Sequence, residues 1–126
     1  MTNSKYQDYL YFIFRILVGA LFLQHGLQKL FGFFGMQPVA LFSLFGLAGV
    51  IEFLGGILII FGLFTRVAAL ISGLLMIVAY FYVHFPGGFY PILNQGELAL
   101  LYFAAFLVLM VNGSGIFSLG RAIFKR

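Results

Sequence analysis

The chain has no cysteine. That excludes disulfides, thiol redox chemistry and cysteine-ligated iron–sulfur clusters built from this chain alone. Charge is nearly as scarce. Only 8% of its 126 residues are Asp, Glu, Lys or Arg, and just three are acidic, against about 25% charged in a soluble domain. With 63% of residues hydrophobic and a mean hydropathy of +1.13, a soluble fold this short has too little interior to hide the apolar surface, so a membrane protein is expected. The formal charge of +4 would suggest nucleic acid in a soluble protein. Here membrane topology accounts for it better, and no nucleic-acid partner is expected.

Four apolar segments stand out, at about 9–31, 47–63, 67–85 and 95–111. At ~1.5 Å per residue, ~17–23 residues reach ~25–34 Å, close to a hydrocarbon core of ~30 Å. The runs are continuously apolar and lack the alternation of an outer-membrane barrel. The expectation is an all-α, integral membrane four-helix bundle, one domain over 1–126. The first run is too long for a signal-peptide core and has no small-residue cleavage site, so it reads as a retained helix.

Breaks agree with this division: Gly32, Gly35 and Pro38; the turn at Thr65-Arg66; Pro86-Gly87-Gly88 and Pro91; and Asn112-Gly113-Ser114-Gly115. Asn94 with Glu97 three residues on resembles a capping box. The stretch 39–46 reads either as part of helix two or as a separate interfacial helix. The tail 116–126 mixes apolar and basic residues, as an interfacial segment drawn to anionic lipid does. Lys5, Arg15, Arg66, Arg121, Lys125 and Arg126 fall towards the side of the termini, and only Lys29 towards the other. The positive-inside rule then puts both termini in the cytoplasm.

With that topology His25, Lys29, Glu52, His84 and Glu97 all fall in the outer half of the bundle. Charged groups in the apolar core cost ~2.5–3.5 kcal/mol each on insertion scales, so they pair or face a cavity. A pocket for a ligand or protons is expected from His25, Lys29, Glu52, Tyr80, His84 and Glu97, open outward and walled by Tyr80, Tyr82, Phe85 and Tyr90. Each group has a plainer reading. Lys29 and Arg15 can snorkel to opposite interfaces, Glu97 can serve a helix N-terminus, and His25 can act as packing glue. Glu52 is the hardest to explain away, because a deep carboxylate needs a cation, a donor or a proton. Gly49 and Gly56, and Gly55 and Gly62, are spaced for close helix approach rather than for a cofactor.

Arg15, His25-Gly26 and Lys29; Glu52-Phe-Leu-Gly55-Gly56 with Gly62-Leu-Phe-Thr65-Arg66; and Asn94-Gln-Gly96-Glu97 with Leu101-Tyr102 and Gly113-Ser-Gly115…Ser118-Leu119 together resemble the pattern of the DoxX family and its DoxD-like relatives. The likeness runs over nearly the whole chain. It departs at Gly120, where many relatives have aspartate, and at Phe85, where tryptophan commonly follows the histidine. The resemblance implies a small four-helix protein of the bacterial or archaeal inner membrane. Some relatives are linked to thiosulfate:quinone oxidoreductase and others to membrane-associated oxidoreductase complexes.

Three functions compete. The first is a quinone- or redox-associated subunit working with other oxidoreductase subunits rather than an enzyme alone. Histidine would donate to a quinone oxygen and glutamate relay a proton. Haem between His25 and His84 is disfavoured, since lone histidines argue poorly for ligation; no metal site is expected. The second is a transporter or permeation unit for a small solute or protons, in a homo-oligomer. The third is a non-catalytic assembly or anchor subunit whose polar layer locks the helices together.

Overall fold

The computed structural model describes residues 4–124. The tail residues Lys125 and Arg126 lie outside the described residues. Six α-helices follow in order: α1 Lys5–Phe31, α2 Leu44–Phe61, α3 Thr65–Ala79, α4 Pro91–Asn94, α5 Glu97–Asn112 and α6 Leu119–Phe124, with no strand among the described residues. Lys5–Phe31, Leu44–Phe61 and Thr65–Gly87 are long and apolar enough to cross a membrane, and α5 is a shorter apolar helix.

Local chemistry sets the boundaries. Ser4 caps α1 by accepting from the Gln7 N–H, and α1 ends on Gly32 at φ 71, the left-handed geometry that glycine adopts without strain. Residues 36–43 are not helical. Ser43 instead caps α2 through the Gly46 N–H at 3.1 Å, so of the stretch 39–46 the last three residues begin α2, while 39–43 are a connecting loop and form no separate interfacial helix. The second turn is tight: Gly62 at φ 68 ends α2, Phe64 sits at φ 49, and Thr65 already begins α3.

The third run does not simply stop at Pro86. After Ala79 it widens into a π-helical turn, Tyr80–His84, closed by the Phe85 N–H on the Tyr80 carbonyl, and then a 3₁₀ turn to Gly87. Such a bulge re-aims side chains relative to a straight helix. The expected capping box does not form. Gly96 is the N-cap of α5 without a side-chain bond, because a short α4 and a left-handed Gln95 (φ 63) intervene.

Two antiparallel pairs make the bundle: α1 packs along α2, and α3 along α5. The first pair meets glycine to backbone. A Cβ on Gly26 would lie 2.5 Å from the Phe53 nitrogen, and one on Gly56 2.9 Å from the Leu23 Cα. Gly19 and Gly49 make similar approaches to Ile60 and Lys29, while Gly55 faces Ser72 of α3. Between the pairs lies a core of Phe22, Ile59, Ala69, Met76, Tyr102, Phe106 and Leu109. Much of the outer surface is large and apolar, including Leu17, Leu54, Leu74 and Leu101, as a lipid-facing surface must be.

Candidate functional site

The polar side chains gather at three places. In the half of the bundle away from the termini, Lys29 lies in the last turn of α1 and Glu52 in the third turn of α2, midway along it. The antiparallel pairing brings them face to face, Nζ donating to Oε1 at 2.8 Å. Glu52 is only 4% exposed, so its charge is taken up by a neighbouring cation rather than by water. Gly49 lies against the Lys29 Cβ and Gly26 against the backbone of Glu52 and Phe53. The absence of side chains there is what lets the pair close. His25, one turn before Lys29 on the same face, sets its imidazole edge-on to Tyr102 of α5, ring centres 5.8 Å apart. Tyr102 is buried and also packs against Phe22 of α1, ring centres 5.3 Å apart. Neither the His25 ring nitrogens nor the Tyr102 hydroxyl has a hydrogen-bond partner among the described residues.

A second group ties the π turn to the entry of α5. The Asn94 amide donates to the Tyr80 hydroxyl at 3.1 Å and to the Gly88 carbonyl at 2.9 Å, and its oxygen accepts from the Gly96 N–H at 2.8 Å. His84 Nδ1 lies 3.3 Å from the Asn94 carbonyl. These bonds share no residue with the Lys29–Glu52 pair. Glu97, at the first position of α5, is exposed and joins neither group.

The six expected site residues therefore divide: Lys29, Glu52 and His25 in one place, Tyr80 and His84 in another, Glu97 apart. The expected aromatic wall is also incomplete, since Tyr82 and Tyr90 are 62% and 63% exposed. The π turn and the extended Tyr90 direct them outward rather than to a shared cavity. A cleft of about 1200 Å³ lies at the opposite end, among residues of α1, α3, α5 and α6.

That end holds the third group, and it corrects the reading of Arg15. Rather than snorkelling, Arg15 is 2% exposed. Its guanidinium donates to the Ile59 and Ile60 carbonyls at 2.9 and 3.1 Å and to the Ser114 carbonyl at 2.6 Å. A helix leaves its last carbonyls without partners, and a cation there also meets the negative end of the dipole. Arg15 supplies both to α2. Around it the Tyr11 hydroxyl donates to the Gly113 carbonyl, Ser114 Oγ to Thr65 Oγ1 at 2.8 Å, and the Gly120 N–H to the Gly62 carbonyl at 3.0 Å. A Cβ on Gly120 would collide with the Gly62 carbonyl, so this position is committed to backbone contact.

The DoxX family model matches residues 10–85. The chain belongs to the DoxX family. A protein of Haemophilus influenzae, named "Uncharacterized protein", is 41% identical over the full length of both chains. "Inner membrane protein YqjF" of Escherichia coli is 30% identical over 98% of each. "Putative oxidoreductase CatD" of Bacillus subtilis is 30% identical over 90% of this chain and 86% of its own. No solved structure matches. Within this DoxX protein, the matched region carries Arg15, His25, Lys29, Glu52, Tyr80 and His84, while Asn94, Tyr102 and Ser114 lie beyond it. Asn94 and Tyr102 both stand in the fourth-segment motif, but the sequence does not mark either as a chemical group: Asn94 reads as a cap, and nothing local shows that Tyr102 meets His25 across the bundle.

Proposed function

We propose that this DoxX protein is a multi-pass protein of the cytoplasmic membrane, with α1, α2, α3 and α5 crossing and both termini cytoplasmic, and that it serves as the quinone-associated subunit of a membrane oxidoreductase. The observation that carries the reading is the Lys29–Glu52 pair: a carboxylate 4% exposed, held at 2.8 Å by one lysine. Ionisable groups at such depth are costly and mark ligand or proton sites more often than they mark packing. The names of the E. coli and B. subtilis relatives support the membrane and the redox association respectively. Lys5, Arg66 and Arg121 at one end, against Lys29 at the other, support the orientation.

A quinone fits the donor set here, because the His25 imidazole and the Tyr102 hydroxyl stand beside the pair without partners of their own. When bound, a quinone supplies reversible two-electron, two-proton chemistry. His25 and Tyr102 would hold it by hydrogen bonds. Glu52, paired with Lys29, would hold or release a proton. Electrons come from a partner subunit.

The test is organic extraction of the protein purified in mild detergent, with ultraviolet detection of quinone. About one quinone per chain is expected in the wild type, with strong loss in His25→Ala and Glu52→Gln. A wild type free of quinone, or an undiminished content in both variants, overturns the reading. A purely structural lock is the second reading, favoured by the closure of the pair without a third partner; it expects Glu52→Gln to lower the melting temperature alone.

A further inference from the structure

The cleft at the terminal end is unrelated to the Lys29–Glu52 site and has its own chemistry. It exists because α1 packs on α2 and α5 on α3, while α1 and α5 meet only briefly. Its walls are largely apolar, with Leu10 and Phe14 on one side and Val67 and Val108 on the other. Leu10, Val67 and Val108 are well exposed. Its mouth carries charge of both signs: Asp8 from α1, Arg66 from α3 and Arg121 from α6. Among the described residues Asp8 is in no ion pair, Arg66 has only a long 3.3 Å bond to the Val111 carbonyl, and the Arg121 guanidinium has no partner.

Leu10 stands two residues after Asp8, and Phe14 one further turn along α1, so charge gives way to apolar wall within ~9 Å at ~1.5 Å per residue. That gradient matches a lipid, charged at the head and apolar from the glycerol onward. We propose that the cleft holds one phospholipid whose phosphate sits between Arg66 and Arg121 and whose headgroup ammonium is taken by Asp8, which selects an ethanolamine head. A guanidinium is the side chain best suited to a phosphate. A carboxylate beside it disfavours a purely anionic head and favours one with N–H donors. A choline head offers the same charge without those donors, so it discriminates between charge and hydrogen bonding.

Native mass spectrometry tests this on the full chain, delipidated and then offered phosphatidylethanolamine, phosphatidylglycerol or phosphatidylcholine with identical acyl chains. One ethanolamine lipid per chain is expected, retained at least fivefold better than choline. Arg66→Gln is expected to cut retention of all three about tenfold. Asp8→Asn, at a side chain with no bond to lose, is expected to erase the ethanolamine preference while leaving binding of the glycerol lipid intact. Melting temperatures of both variants show that they are folded. Equal retention of ethanolamine and choline lipids, retention unaffected by Arg66→Gln, a quinone in place of lipid, or a dimer that closes the cleft with a second copy would each overturn the proposal.

Discussion

Lys29 and Glu52 are each costly alone and tolerable together. Removing one partner leaves the other as a buried unpaired charge, at about 3–5 kcal/mol, whereas replacing both with apolar residues of similar size is often neutral or better. Lys29→Met is therefore expected to lower stability by about 3 kcal/mol, and Lys29→Met/Glu52→Leu to recover most of it; thermal unfolding in detergent measures both. A double-variant loss equal to the sum of the Lys29→Met and Glu52→Leu losses would mean that the two side chains do not interact. Glu52 was legible in the sequence because a carboxylate inside an apolar run must find a partner. That the partner is Lys29 was less so, since a lysine near a helix end reads equally well as snorkelling. Arg15 shows the reverse error. Its place in an apolar run reads as an interfacial anchor, and only the return of Gly113–Gly115 to the end of α2 brings three carbonyls around its guanidinium.

At the scale of elements, glycines decide how closely helices meet. Gly26 faces the backbone of Phe53, so an added methyl has nothing flexible to displace. Gly73 is different: a Cβ there would meet Phe103 and Phe106 at an ordinary 3.7 Å. Gly26→Ala is expected to destabilise the bundle by about 1–3 kcal/mol through overpacking. Gly73→Ala is expected to be neutral or to stabilise by up to about 1 kcal/mol through helix propensity. Chemical denaturation of the two variants side by side checks the contrast, which reverses if α1 and α2 are not in direct contact. The seven-residue glycine spacing revealed that α2 has a strip for close approach. It did not reveal that Gly49 and Gly56 face α1 while Gly55 faces α3. The π turn left no trace in the sequence pattern either: Tyr80–His84 reads as ordinary apolar helix, and nothing local shows that Asn94 returns to Tyr80 across the connection.

For the whole molecule, hydropathy made the all-helical membrane character plain, because long apolar runs admit few alternatives. The polar layer was harder, since depth along a helix follows from residue counting but direction around it does not. His84 and Glu97 stand near the same end as Glu52, yet one turns to Asn94 and the other outward. Orientation in the membrane is open to a direct check, helped by the absence of native cysteine. A cysteine at Phe42, which is 99% exposed, is expected to react with a membrane-impermeant maleimide on intact cells stripped of the outer membrane, and one at Gln7 only after lysis; the opposite pattern would invert the topology. The central claim is that the Lys29–Glu52 pair is a working site and not merely a fastener. The most direct measurement exchanges the two, Lys29→Glu with Glu52→Lys, and assays stability and quinone content together. The account predicts that the exchanged pair restores the melting temperature while the bound quinone stays lost, because the carboxylate no longer stands beside Tyr102. An exchanged protein that is stable and retains as much quinone as the wild type would contradict it.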